Sequence, residues 1–139
     1  MSESNVGTKK TAGASQGFTL IELMIAVAIV AILAMIAVPT YTAQMVKSRR
    51  SSAEAALMDI AQREQQYLLD ARAYAYSVTA LGTTTPVSVL AYYTISFATP
   101  AAGPPNFTAI ATPIAGTAQG GDVVLTINQT GAKTPANIW

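Results

Sequence analysis

Residues 18–38 read FTLIELMIAVAIVAILAMIAV, and Pro39 follows. Residues 23–38 contain no polar side chain, and the 21-residue block from Phe18 is broken by one charge, Glu22. About 20 apolar residues carry a helix across a bilayer, so the block predicts a membrane-spanning helix. A cleaved secretory signal would have a shorter apolar region and a small-residue site behind it. The flank Val38, Pro39, Thr40 and Tyr41 offers no such site. A carboxylate at the centre of a span costs about 2.5–3.5 kcal/mol on insertion scales. Glu22 lies one turn from Phe18, where it can reach the headgroups. It is either a tolerated interfacial acid or an acid that needs a cationic partner within the apolar layer.

Outward from this block the chain changes twice. Residues 1–17 are small and polar, with Lys9 and Lys10 before the span, which favours a cytoplasmic N-terminus. Beyond it, Pro39 removes the N–H that the Met35 carbonyl would accept, so a kink is expected there. Residues 40–73 contain no glycine and no proline and are rich in helix formers. Ala53, Leu57, Ile60, Ala61, Tyr67, Leu68 and Ala71 recur at the three- and four-residue spacing of one buried face. One helix over residues 18–72 would be about 80 Å long, longer than the small domain behind it. Residues 74–90 read as a loop marked by Gly82 and Pro86. Residues 92–98, 107–112 and 123–128 alternate and are enriched in β-branched and aromatic side chains, the pattern of strands. Strands following one helix and joined by short loops predict an α+β fold, with a small antiparallel sheet of three to four strands burying the helix stripe.

Composition removes whole classes of function. The 139 residues include no cysteine and no histidine, which excludes disulfides, thiolate sites, imidazole catalysis and histidine metal ligation. The formal charge is +1, with no basic field, which speaks against a nucleic-acid partner. Beyond residue 72 the only charged side chains are Asp122 and Lys133, too few for an ordinary acid–base or metal site. Neither an enzyme nor a cofactor or metal site is expected.

The string Gly17-Phe18-Thr19-Leu20-Ile21-Glu22 and the apolar run after it resemble the cleavage and methylation motif of type IV prepilins. Pro39 lies where such pilins carry a helix-kinking proline. Gln65-Gln66-Tyr67, Tyr74, Leu81-Gly82, Tyr92-Tyr93-Thr94-Ile95, Phe107-Thr108-Ala109 and the stretch from Gly121-Asp122 to Gly131 are similar to the later helix, loop and strands of type IVa pilins. The resemblance covers nearly the whole chain from Gly17. It implies a leader over 1–17, a membrane and filament-core helix over 18–39, and a head over 40–139 made of helix 40–73, loop 74–90, and sheet and tail 91–139. A prepilin peptidase would cut between Gly17 and Phe18 and methylate the new Phe18 amine. Glu22 would neutralise that amine during assembly.

The implied partners are identical or related pilin subunits, the peptidase, the pilus assembly machinery and the inner membrane, with no direct nucleic-acid site evident. The implied location is a single-pass inner-membrane pool with a cytoplasmic N-terminus, then an extracellular pilus serving adhesion, twitching or DNA uptake. Alternatives are a minor pilin or a type II secretion pseudopilin, although pseudopilin-like calcium carboxylates are not evident. From another class, the rival is a single-span membrane-anchored binding domain. The 17-residue leader is longer than the family's usual one. The disulfide that often clamps the tail in this group has no counterpart here, and Trp139 packing on the sheet is one substitute.

Overall fold

The computed structural model describes residues 17–98, 100 and 102–139. The leader proposed over 1–17, with Lys9 and Lys10, lies outside them except for Gly17. Helix α1 runs over Leu20–Ala71, 52 residues, with Pro39 inside it. The chain divides into two compact units at the Val38–Pro39 boundary. In the first unit every described residue is exposed. Its apolar stretch reaches a mean hydropathy of 2.9 and is long and apolar enough to cross a membrane.

In the second unit, α1 presents Ala53, Leu57, Ile60 and Glu64 as a fully buried stripe. Their spacing of four, three and four residues keeps them on one helix face. Ala61, Tyr67 and Leu68, expected to be buried with them, are only half-buried, and Ala71, the last residue of the expected face, is exposed in the final turn of α1. The Arg72 N–H still bonds the Leu68 carbonyl at 2.9 Å, but Arg72 itself turns left-handed, at φ 56°. The buried Glu64 carboxylate then accepts the backbone N–H groups of Ala75 and Tyr76, at 2.8 and 3.1 Å, which folds the chain back along the helix.

The predicted loop 74–90 contains one short helix, α2 (Val87–Leu90), which buries Val89. The sheet is an antiparallel meander in the order β1 (Tyr93–Phe97), β2 (Thr108–Pro113), β3 (Leu125–Asn128) and β4 (Lys133–Thr134). Each of the three predicted strands starts later than the sequence pattern suggested, by one or two residues. Tyr93, Ala109, Ala111, Leu125 and Ile127 alternate onto the buried face. They form one core with Ala53, Leu57 and Ile60 of α1, Val89 of α2, and the edge-on pair Tyr74 and Phe107, whose ring centroids lie 4.8 Å apart. The fold is thus a long N-terminal helix packed on a small four-stranded antiparallel sheet.

The tail is held without a disulfide. Asn128 Oδ1 accepts three hydrogen bonds, from the N–H groups of Thr130 and Ala132 and the Thr130 hydroxyl, which shapes the β3–β4 turn. Gly131 completes the turn at φ 77°, where a side chain would be strained. Strand β4 pairs with β3 through Thr126 with Thr134 and Ile127 with Lys133. The Trp139 indole N–H donates to the Thr134 carbonyl at 3.2 Å, and its half-buried ring packs against the core. The Lys133 ammonium lies 4.7 Å from that ring's centroid, a cation–π contact.

Candidate functional site

Gly17, Phe18 and Glu22 fall together at the start of α1. Gly17, Phe18 and Thr19 precede the helix in irregular backbone. A Cβ added to Gly17 would meet nothing within 4 Å. No packing among the described residues therefore calls for glycine there. Phe18 is 86% exposed, which leaves the Gly17–Phe18 bond open to approach. Thr19 caps the helix: its hydroxyl accepts the Glu22 N–H at 3.2 Å, and its carbonyl accepts the Leu23 N–H at 3.2 Å. Thr19-Leu20-Ile21-Glu22 has the spacing of a capping box. Glu22 also stands in the first turn, where the helix dipole favours a negative charge. Pro39 lies apart from this group, well inside α1.

A second polar constellation lies in the head and was not anticipated. Asp122, in the loop before β3, has a side chain only 2% exposed. Arg50 of α1 grips it with two nitrogens: Nε reaches Oδ2 at 3.0 Å and an Nη reaches Oδ1. The Tyr93 hydroxyl donates to Oδ2 at 2.6 Å. The fully buried Gln119 amide nitrogen contacts the same oxygen and the Tyr93 hydroxyl, and it donates to the Val46 carbonyl of α1 at 3.1 Å. Burial pushes the Asp122 carboxyl up, but the bonds from Arg50 and Tyr93 outweigh it and hold the group at about 2. Burial and the Asp122 charge raise the Tyr93 phenol, and the Asp122 bond raises Arg50. The sequence signal for this cluster was the isolation of Asp122 in a neutral stretch. That isolation does not name its partner, which is 72 residues away.

A groove of about 540 Å³ runs between α1 and the loop at Thr83, Thr84 and Thr85 of the head. Its charges, Asp59 and Arg63, pair with each other one helical turn apart. Among the described residues no group of carboxylates could hold a metal ion.

Comparison with known proteins matches both parts of the chain. The family described as "Type IV minor pilin ComP, DNA uptake sequence receptor" matches residues 39–122, and the "Prokaryotic N-terminal methylation motif" matches residues 13–38. A type IV pilin from Shewanella oneidensis is similar at 26% identity and a TM-score of 0.51, over 68% of this chain and 97% of its own. The Neisseria meningitidis non-core minor pilin PilV shares the fold at 22% identity and a TM-score of 0.50, over 66% of this chain and 86% of its own. The methylation motif thus covers the segment where the Gly17–Phe18 bond, the capped helix start and the apolar span adjoin, and the pilin match begins at Pro39. The chain is a type IV pilin precursor and belongs to the type IV minor pilin ComP family.

Proposed function

We propose that this chain is a minor pilin of a DNA-uptake pilus, processed at the Gly17–Phe18 bond and assembled from the inner membrane. One observation carries the reading: a methylation motif over residues 13–38 is followed directly by the match to the ComP family over 39–122. Prepilin peptidase removes residues 1–17 and methylates the Phe18 amine. Residues 18–39 cross the membrane once, with the N-terminus in the cytoplasm, and later enter the filament core. Pro39 bends the helix before the head, residues 40–139. Glu22 meets the positive Phe18 amine of its own or a neighbouring subunit, because an unpaired charge of either sign is costly in an apolar core.

The nucleic-acid role comes from the family description and stands against the neutral composition. Of the six cations in the head, Arg50 and Arg63 pair with carboxylates, Arg49 lies over the Tyr92 ring, Lys133 lies over Trp139, and Lys47 and Arg72 are exposed. DNA contact by this head would therefore neutralise few phosphates and show a shallow salt dependence. The test compares a deletion strain with its parent. Mass spectrometry of sheared filaments from the parent should find the subunit beginning at N-methyl-Phe18, in small amount beside a major pilin. The deletion should abolish transformation by added DNA while filaments persist. Unchanged transformation would remove the DNA-uptake role, and a mature N-terminus elsewhere would remove the processing site.

A further inference from the structure

The buried face of α1 is bracketed by polar groups. Arg50, Ala53, Leu57, Ile60 and Glu64 follow one another at spacings of three, four, three and four residues. Ala53, Leu57 and Ile60 are apolar and fully buried. Apolar packing has no direction, so a smooth stripe could shift along a sheet by a helical turn at modest cost. Polar groups at its ends have fixed partners. Glu64 holds the far end through the Ala75 and Tyr76 N–H groups. At the near end, Arg50 binds Asp122, and Gln119 binds the backbone of α1 itself at Val46.

Nothing comparable to the apolar stripe supports the near end. Residues 41–44 are exposed, Met45 and Val46 are half-buried, and the first fully buried residue of α1 is Ala53. Residues 46–52 thus contribute no fully buried side chain. Their polar ties to the rest of the head include the Arg50 and Val46 bonds and the Arg49 guanidinium, 4.1 Å from the Tyr92 ring centroid. Just upstream the packing opens into a groove of about 230 Å³ between Tyr41, Met45 and Ala118. We propose that the Arg50–Asp122–Tyr93–Gln119 cluster is a latch that sets the point at which the head lets go of helix α1. Closed, it extends the head's grip to Val46. Open, the grip retreats to Ala53, and two further turns of helix stand without support. A buried ion pair suits this role because it adds little net stability beside an apolar substitute but fixes which groups meet.

The test is hydrogen–deuterium exchange on the full-length chain in detergent micelles. The wild type is compared with Asp122→Asn and with the double variant Arg50→Met, Asp122→Leu, which replaces the pair by apolar side chains. Amides 46–52 should exchange about tenfold faster or more in both variants, a change that corresponds to about 1.4 kcal/mol of local opening. Amides 57–64 should keep the wild-type rate in the double variant. If residues 46–52 stay protected in the double variant, the Arg50–Asp122 pair is not what holds this segment and the latch is refuted. If residues 57–64 speed up equally there, the cluster is a general stabilising element and the latch is again refuted. Should Asp122→Asn unfold as a whole, the double variant alone decides.

Discussion

At the scale of single residues, two acids carry the sharpest expectations, and they differ in what surrounds them. Glu22 is exposed at the first turn of α1. In the membrane it can reach the headgroups, so its burden there is small. On the proposed reading that escape is closed in a filament core, where Glu22 meets the Phe18 amine. Glu22→Ala leaves that amine without a counter-charge, a loss of roughly 3–5 kcal/mol when a buried pair is broken. Cleavage and membrane insertion should persist while incorporation into sheared filaments falls steeply. Normal incorporation would show the acid to be an interfacial bystander. Asp122 is already paired within the head, at about 2 against an ordinary 3.8. Its depressed value means that the unfolded chain takes up the proton first on acidification. The stabilisation is therefore complete above about pH 4 and is lost as pH falls towards 2, amounting to about 2 kcal/mol. Urea midpoints between pH 5 and 2 should fall less steeply for Asp122→Asn than for the wild type, and parallel curves would sink this assignment.

At the scale of elements, the helix was the most legible part and its ends the least. The three- and four-residue recurrence of Ala53, Leu57 and Ile60 depends only on helix geometry, so it can be read locally. Glu64 lies on the same face, yet a charged side chain there does not announce burial. Its partners are backbone N–H groups that exist as a site only after the chain has turned at Arg72. The Arg50–Asp122 pair was hidden for the same reason, since long-range pairing leaves no periodic trace. The N-terminal motif was legible because its chemistry is contiguous: bond, cap and acid lie within six residues. The β4 pairing was less so, because two residues are too few to show alternation. Leu57, fully buried at the centre of the stripe, tests the element directly. Leu57→Ala should cost about 2–5 kcal/mol, with the spread set by how far the surroundings collapse into the space. Thermal or urea unfolding of the head would measure it. A loss below 1 kcal/mol would mean that α1 does not pack on the sheet as described.

At the scale of the whole molecule, the chain joins two solutions to burial. The described residues of its N-terminal unit expose their apolar surface, over a helix long and apolar enough to cross a membrane. Its second unit contains its own core: every residue of the buried apolar cluster lies between Ala53 and Ile127, and Trp139 packs onto it from the tail. About 100 residues are enough for an independent domain without disulfides. Here β4, the Asn128-capped turn and the Trp139 contact close the tail. A fragment of residues 40–139 should therefore fold alone, because it retains the whole cluster, both polar ends of the helix face and all four strands. Its α1 segment begins with residues 40–45, which have little to lean on, so fraying should be confined there. The expected result is one cooperative unfolding transition by circular dichroism, with amide protection beginning near Val46. Reductant should leave the midpoint unchanged, since no thiol is present. A fragment that melts without a transition would show that the head borrows stability from residues 17–38, and the division at Pro39 would have to be abandoned.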